Sequence, residues 1–387
     1  MSAIQSLEEG SGEGRRSLWL NLALELLWGI EPRALQPRVD FTVWVERPWG
    51  FRVAEPPPET SASGEWLVYL VKRVGDSLRM VSRLKGILGS DRASIQGLKD
   101  ACAIGYQYVA LRSPRSAPSR LEGRGFEAWL IGRRRSPLRL GGHKFNYFYI
   151  IVKTRGDPRR LCIEANSVRE IPGFYGPQRF GIERPNTHYL GLLRLRGESG
   201  GLLREYMMRY PLEEDRAPGY YEEKALGLVR RSRILSRSLE PGPKQLHLDA
   251  LRAYLFNRTL SRILTENISV TKAAERWVTV RCPGRIERVP AASIPPLRRG
   301  EDSWSRIATQ IMTEEGVLGL LRGDGSGGLH RQPLLRPLFF PVCRLSCRIL
   351  GGNTVSLALA APKGAYATIL LRSLALVDWL EYAKCRS

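Results

Sequence analysis

The stretch Gly97–Gln107 reads Gly-Leu-Lys-Asp-Ala-Cys-Ala-Ile-Gly-Tyr-Gln and places a short glycine-bounded loop in front of a strand. Tyr106–Arg112 continues it with aromatic and β-branched residues, the composition of a strand. Within the loop, Asp100 directly follows the cation of Lys99. An opposite charge favours the ionised carboxylate that a nucleophile or a base requires. A surface turn with a Lys–Asp pair would have the same residues, so the loop alone leaves both interpretations open.

Strand patterns recur on both sides of this loop. Alternating apolar residues predict further strands at Asp40–Glu46, Trp66–Lys72, Phe145–Lys153, Val342–Leu350 and Thr354–Ala360. Apolar residues at helical spacing predict helices at Leu18–Ile30, Asp76–Leu88, Leu246–Leu264 and Tyr366–Tyr382. The stretch Arg52–Gly64 is rich in proline, serine and glutamate and predicts a loop. Strands with occasional helices between them indicate an α+β fold, whose sheet is interrupted from about Asn186 and resumes after Leu338.

The charge of the chain points to a polyanionic partner. Among 387 residues, 60 are basic and 38 are acidic, which gives a formal net charge of +22. That excess makes a polyanion the leading class of partner. About five in six of the basic residues are arginine, which forks onto phosphates and stacks on bases. We therefore expect nucleic acid, although a generally arginine-rich composition would give the same numbers.

Neither a membrane segment nor a metal centre is predicted. No apolar run reaches the ~18–20 residues that a membrane span requires, and the run at Leu18–Ile30 is interrupted by Asn21 and Glu25. The six cysteines are scattered without a Cys-x-x-Cys pair, which argues against structural zinc. We expect a cytoplasmic protein with reduced thiols.

A second segment, Ile171–Gly181, concentrates aromatic rings, glycines and polar side chains. It reads Ile-Pro-Gly-Phe-Tyr-Gly-Pro-Gln-Arg-Phe-Gly. This composition is poor for a core strand and suited to a base-stacking loop. Aromatic faces hold an extruded base, while glutamine and arginine read base edges and phosphates. An aromatic structural turn is the alternative that the segment alone leaves open.

Both segments resemble motifs of a known family, the TruD family of tRNA pseudouridine synthases. Gly97–Gln107 is similar to its Gly-x-Lys-Asp-x-x-Ala-x-Thr-x-Gln loop, and Pro172–Gly181 to its Asn-Tyr-Phe-Gly-x-Gln-Arg-Phe-Gly motif. Five further stretches resemble the family's motifs in the family's order: Asp40–Val43, Leu138–Ile150, Arg184–His188, Tyr254–Asn257 and Ala361–Thr368. The resemblance covers residues 40 to 372, and Arg184–His188 is similar to the archaeal-type continuation.

The resemblance implies a fold and an activity. The fold is α+β: a pseudouridine synthase catalytic domain with a mixed or antiparallel sheet, formed by residues 1–185 and 341–387, and an inserted α+β TRUD domain at 186–340. The activity is isomerisation of a specific uridine in tRNA, of the uridine-13 class, to pseudouridine. The resemblance implies no metal or organic cofactor and no protein partner. We expect a monomer that binds tRNA in the cleft between the two domains.

The resemblance also implies the residues of the site. Asp100 falls on the catalytic aspartate, and Phe41 and Tyr366 fall on aromatic positions that line the uridine pocket. The predicted substrate-binding residues are completed by Lys99, Asn146, Phe148, Gly173, Tyr175, Gln178 and Arg179. Because a paired or stacked uridine is out of reach of Asp100, we expect the target nucleotide to be flipped into the pocket. Stacking on aromatic rings would offset part of the cost, at ~1–3 kcal/mol per base.

The chain departs from the family's motifs at several positions. Gly173 replaces the motif's asparagine, Gly105 replaces the threonine of the catalytic loop, and Val45 stands where the first strand usually carries glutamate. The basic residue that the family places shortly before Asp-Phe has no clear match, Arg33 and Arg38 being the candidates. Gly173 and Gly105 motivate an alternative, a non-catalytic tRNA-binding protein on the same scaffold. A synthase that acts at another tRNA position or on other RNA is a further hypothesis.

Overall fold

The computed structural model describes residues 12–208, 244–297, 302–322 and 335–385. Its helices are α1 (Gly12–Leu27), α2 (Ser77–Leu88), α3 (Pro158–Ser167), α4 (Thr187–Leu195), α5 (Ser199–Met207), α6 (Lys244–Thr265), α7 (Val270–Ala273), α8 (Ser303–Glu314), α9 (Leu318–Arg322), α10 (Ala367–Leu374) and α11 (Trp379–Ala383). Its strands are β1 (Thr42–Trp44), β2 (Phe51–Ala54), β3 (Trp66–Arg73), β4 (Arg92–Ile95), β5 (Ile104–Arg112), β6 (Arg120–Gly123), β7 (Phe126–Arg134), β8 (Phe145–Thr154), β9 (Glu170–Pro172), β10 (Arg276–Cys282), β11 (Arg285–Ala292), β12 (Arg336–Pro337), β13 (Phe339–Pro341), β14 (Arg344–Gly351), β15 (Thr354–Pro362) and β16 (Leu376–Val377).

A mixed sheet of 11 strands dominates the described part of the chain. Its order is β14-β15-β8-β2-β5-β3-β7-β6, with β4 beside β5 and with β1 beside β8 and β16. The pairs β2–β5 and β1–β16 are parallel, whereas β8 runs antiparallel to β2 and β15. The α+β fold predicted from the sequence is confirmed, and β14 and β15 show that the sheet resumes late in the chain.

The side chains of strand β8 point alternately to the two faces of this sheet. Its buried positions Ile150 and Val152 belong to the main hydrophobic core, against which Phe148 also packs. Because successive side chains of a strand alternate, Tyr147 and Tyr149 lie on the other face. The core on the first face extends to α6, α8, α10 and α11.

The sheet is interrupted at a point where the chain leaves and returns side by side. β9 pairs with β13, so residues 170–172 and 339–341 are neighbours. Between them lie α4 to α9 and the three-stranded sheet of β10, β11 and β12. The long helix α6 contacts the N-terminal segment, because Asn257 Nδ2 donates to the carbonyl oxygen of Trp28 at 2.8 Å.

Two local predictions are wrong. The stretch predicted as a loop from Arg52 begins inside strand β2, which lies between β8 and β5 in the centre of the sheet. The helix predicted at Tyr366–Tyr382 is two helices, α10 and α11, because β16 between them pairs with β1. Asp378 then starts α11 as its N-cap, with Oδ1 accepting from the backbone N–H of Glu381 at 3.1 Å.

The six cysteines are all paired, so the prediction of reduced thiols is wrong. The disulfides join Cys102 to Cys385, Cys162 to Cys347, and Cys282 to Cys343, which are 283, 185 and 61 residues apart in sequence. Spacing along the chain carries no sign of these pairs, because the fold alone brings the partners together. None of the helices in the described ranges is long and apolar enough to cross a membrane.

Candidate active site

Asp100 lies in the loop between β4 and β5, and both oxygens of its carboxylate accept a hydrogen bond. Oδ2 accepts from Nη1 of Arg47 at 2.9 Å, and Oδ1 accepts from the backbone N–H of Cys102 at 2.9 Å. The side chain of Arg47 is 1% exposed, whereas that of Asp100 is 16% exposed. The loop therefore presents a fixed, partly accessible carboxylate beside a buried cation.

The C-terminal helix α11 holds this cation in place. Nε of Arg47 donates to the carbonyl oxygen of Tyr382 at 2.5 Å, and Nη2 donates to that of Ala383 at 3.4 Å. The guanidinium also lies 4.2 Å from the centre of the Tyr382 ring. The Cys102–Cys385 disulfide ties the Asp100 loop to the end of the same helix. Hydrogen bonds and a covalent link thus join the loop to the C-terminal segment.

Lys99 does not pair with Asp100, although the two are adjacent in sequence. Its Nζ lies 2.7 Å from Oε1 of Glu55 and donates to Oδ1 of Asn146 at 3.1 Å. Both charged side chains are buried, and this burial lowers the pKa of Lys99 while the charge of Glu55 opposes the shift. Lys99 therefore anchors the loop to the ends of β2 and β8. The cation that pairs with Asp100 is Arg47 instead.

A second buried arginine supports the loop from beneath. Nη2 of Arg73 donates to the carbonyl oxygen of Asp100 at 3.3 Å, and Nε donates to Oε1 of Gln107 at 2.8 Å. Burial lowers the pKa of Arg73 to about 10, and the charge of Asp100 opposes the shift. A Cβ atom at Gly105 would lie 3.3 Å from this guanidinium. The glycine that replaces the motif's threonine therefore leaves room for Arg73.

The aromatic ring that packs against Phe148 is that of Phe51. Its ring centre lies 6.1 Å from that of Phe148 and 6.2 Å from that of Tyr382, both in edge-on geometry. Phe41 instead packs against Gly156, just beyond the far end of β8. Six residues of strand separate Phe148 from the end of β8, or roughly 20 Å. The structure therefore does not bring Phe41 to the other predicted site residues.

The sequence contains a pattern that could have identified Phe51. Phe51 and Val53 repeat the Phe-x-Val pattern of Phe41 and Val43, and Glu55 follows on the same face as a polar residue. The candidate basic residue Arg38 is bonded to Glu164 and Ser167, away from Asp100. Neither Arg47 nor Glu55 was identified from the sequence, because the second Phe-x-Val pattern lies in a stretch rich in proline.

The segment Ile171–Gly181 is connected to the Asp100 loop through Tyr382 of α11. Nε2 of Gln178 donates to the hydroxyl oxygen of Tyr382 at 3.0 Å, and Oγ1 of Thr368 donates to Oε1 of Gln178 at 3.1 Å. Burial raises the pKa of Tyr382. Since the same tyrosine contacts Arg47, Gln178 is connected to the cation of Asp100 through one side chain.

Tyr175, Tyr366 and Arg179 form an aromatic and cationic group next to Gln178. The ring centres of Tyr175 and Tyr366 are 6.1 Å apart, and the guanidinium of Arg179 lies 5.5 Å from the centre of Tyr175. Asn257 on α6 fixes the backbone of Tyr175, accepting from its N–H at 2.8 Å and donating to its carbonyl oxygen at 3.0 Å. The helix motif at residues 254–257 thus holds the segment Ile171–Gly181, which we call the aromatic loop.

Arg336 is a residue of this site that the sequence did not reveal. Its Nε donates to the carbonyl oxygen of Gly173 at 2.5 Å, and Nη2 donates to that of Phe174 at 2.8 Å. The buried guanidinium lies 3.7 Å from the centre of the Tyr175 ring. A Cβ atom at Gly173 would lie 2.0 Å from the carbonyl oxygen of Pro337. The close approach of β12 therefore leaves no space for the asparagine of the family motif.

Comparisons with known proteins agree with these motifs. The family model of tRNA pseudouridine synthase D (TruD) matches residues 40–225. A probable tRNA pseudouridine synthase D of Methanopyrus kandleri is 27% identical over 350 residues, which cover 80% of this chain and 84% of that protein. The protein of the same name from Sulfurisphaera tokodaii is 26% identical over 373 residues, which cover 87% and 94%.

The fold has a counterpart among solved structures. A crystal structure described as tRNA pseudouridine synthase D (TruD) from Methanosarcina mazei superimposes with a TM-score of 0.61 at 19% identity. The match covers 93% of this chain and 99% of the other. The superposition shows a common fold, and the sequence matches extend over the Asp100 loop and the aromatic loop. Over these residues the chain is similar to members of the TruD family of tRNA pseudouridine synthases.

Proposed function

We propose that the chain isomerises a specific uridine of tRNA, of the uridine-13 class, to pseudouridine, with Asp100 as the nucleophile. The observation that carries this proposal is the carboxylate of Asp100. It is bound at both oxygens, 16% exposed, and placed against the buried cation of Arg47. A carboxylate that only ended a surface turn would have no need of a buried guanidinium fixed by two further carbonyl groups.

The proposed reaction needs few groups. It breaks the glycosidic bond between uracil N1 and the ribose, turns the detached uracil and rejoins it to the same ribose carbon through a ring carbon. That ring carbon gives up its proton to a base, and N1 ends with a proton. A carboxylate oxygen has two lone pairs, so each oxygen of Asp100 keeps one for attack after accepting its hydrogen bond. Arg47 and the backbone N–H of Cys102 fix the direction of that lone pair. Such orientation is a large part of what an active site contributes to a rate.

The pocket for the flipped uridine would be formed by aromatic side chains near Asp100. Phe51 and Phe148, whose rings pack edge-on, would line one end of this pocket, and Tyr366 with Tyr175 would line it on the side of the second loop. The side-chain amide of Asn146 and the ammonium group of Lys99 would offer hydrogen-bonding groups to the base. We propose that residues 186–340 form an inserted domain and that tRNA lies between it and the sheet.

Mapping of pseudouridine at nucleotide resolution tests the proposal. Purified protein is incubated with unmodified tRNA transcripts and with other structured RNA. Pseudouridine at uridine 13 is the expected result. Pseudouridine at another tRNA position or in other RNA would support the broader synthase hypothesis. Bound but unmodified tRNA would instead favour a non-catalytic binding protein.

A further inference from the structure

The large sheet has an open face on the side away from Asp100. Alternation along β8 directs Asn146 and Phe148 toward the candidate site and Tyr147 and Tyr149 toward the opposite side. Tyr147 is 42% exposed, and Tyr149 is partly exposed. One strand therefore supplies the site with one set of side chains and the open face with another.

Strand register adds neighbours to these tyrosines. Arg52 on β2 lies opposite Tyr149, and Ala54 lies opposite both Tyr147 and Tyr106 of β5. Residues directly opposite each other share a face of the sheet. We call the surface formed by Arg52, Tyr106, Tyr147 and Tyr149 the aromatic face. It contains a depression of about 290 Å³, which all four of these residues line.

The floor of the aromatic face is flat beside the rings. On β15, Ala360 lies opposite Tyr147 and Ala358 lies opposite Tyr149. Ala358 is exposed, so the surface of the sheet beside Tyr149 is open to solvent on the β15 side. Phe145 extends the row toward the strand end, with its ring centre 5.2 Å from that of Tyr147.

Arginines lie within the aromatic face and along its β14 side. The guanidinium of Arg52 lies 5.5 Å from the centre of the Tyr149 ring. Arg344 and Arg348 on β14 are exposed and continue the same face, since they lie opposite Ala360 and Ser356 of β15. None of the positions named on this face is acidic. The surface thus combines stacking rings with cations, in a chain of net charge +22.

We propose that the aromatic face binds an unpaired stretch of the RNA substrate. Bases would stack on Tyr106, Tyr147 and Tyr149, while Arg52, Arg344 and Arg348 contact phosphates. Sheet-borne aromatic rings that stack successive bases are an established way of holding single-stranded RNA. Arginines at the rim supply the phosphate affinity. The identification of the RNA as substrate rests on the proposed function, whereas the binding surface itself does not.

The first test measures the affinity of a fluorescently labelled uridine octamer by anisotropy. The double variant Tyr147→Ala with Tyr149→Ala is expected to raise its Kd about fivefold or more for each ring that stacks a base. The double variant with Phe at both positions should bind nearly as wild type, since the ring is kept. Tyr189→Ala is a matched control, because Tyr189 on α4 is 43% exposed and lies outside the aromatic face.

The outcomes separate clearly. A folded double alanine variant, with a wild-type thermal melt, that binds the octamer as tightly as wild type would overturn the proposal. So would an equal loss in the Tyr189→Ala protein. Should the alanine variant fail to fold, Arg344→Gln with Arg348→Gln takes its place. Each lost phosphate contact should then reduce the slope of log affinity against log salt by about 0.7, and an unchanged slope would count against the surface.

Failure of this inference and failure of the proposed function look different. Asp100→Asn protein should bind the octamer as wild type does, because Asp100 lies on the other face. If wild-type protein makes no pseudouridine but octamer binding still depends on the tyrosines, the function is wrong and the surface stands. If pseudouridine forms and the tyrosines do not affect octamer binding, the surface is wrong and the function stands.

Discussion

At the scale of the residue, a carboxylate and its cation determine what the site can do. The sequence identified Asp100 but paired it with the adjacent Lys99. The structure pairs it with Arg47, 53 residues earlier in the chain. Adjacent side chains in an extended loop point in different directions, and Lys99 reaches Glu55 instead. A composition pattern can thus indicate a reactive residue, whereas its partner depends on the path of the chain.

Substitution of the proposed nucleophile gives the most direct residue-scale prediction. Asp100→Asn should abolish pseudouridine formation and leave tRNA binding nearly intact, because the amide keeps the shape but cannot attack. Asp100→Glu should also fail, since a displacement of about 1 Å can cost on the order of a hundredfold in rate. Activity is assayed on unmodified tRNA, with Asp91→Asn as the control at an exposed aspartate before β4. Substantial pseudouridine from folded Asp100→Asn protein would contradict the assignment.

Removal of the cation should affect stability as well as activity. Arg47→Met would leave the carboxylate of Asp100 without its partner and remove the donors to the carbonyl groups of Tyr382 and Ala383. We expect the free energy of unfolding to fall by about 3 kcal/mol. The comparison is Arg38→Met, whose pair with Glu164 is 3.5 Å long and solvent-exposed and should contribute less than about 1 kcal/mol. Chemical denaturation of both variants measures the difference, and similar losses would refute the special role of Arg47.

At the scale of the element, periodic strands were predictable and short ones were not. The strands predicted from Trp66 and from Phe145 are found as β3 and β8, each one residue longer than predicted. Strand β2 was not predicted, because its four residues stand next to a proline-rich loop and offer too short an alternation. The helix predicted from Tyr366 is interrupted by β16 because pairing with β1 overrides helical propensity there.

The close contact between β12 and the aromatic loop predicts the effect of a substitution at Gly173. Gly173→Asn restores the residue of the family motif, yet its Cβ atom would lie 2.0 Å from the carbonyl oxygen of Pro337. The loop or the strand must then move, at about 1–3 kcal/mol for an overpacked site. We expect a lower melting temperature and lower activity than wild type. Gly86→Asn is the control, since nothing lies within 4 Å of its Cβ position. A more active Gly173→Asn protein would show that the loop has room.

At the scale of the whole molecule, the disulfides fasten parts that are distant in sequence. Cys102 and Cys385 connect the Asp100 loop to the C-terminus, and Cys162 and Cys347 connect α3 to β14. Composition suggested the opposite, because scattered cysteines in an intracellular protein are usually free thiols. Disulfides are rare in cytosolic proteins apart from those of hyperthermophiles. The cytoplasmic location therefore stays a prediction.

Two disulfides allow stability and catalysis to be separated in one experiment. The double variants Cys102→Ser with Cys385→Ser, and Cys282→Ser with Cys343→Ser, each remove one link that closes a loop of 61 residues or more. Each should lower the free energy of unfolding by about 2–5 kcal/mol. Of the two variants, only Cys102→Ser with Cys385→Ser releases the Asp100 loop from the helix that holds Arg47. We therefore expect that variant to lower kcat several-fold. The second link lies away from this loop and should leave kcat near wild type at a temperature where both proteins are folded. Equal kcat values for the two variants would show that hydrogen bonds to Arg47 are enough to position Asp100.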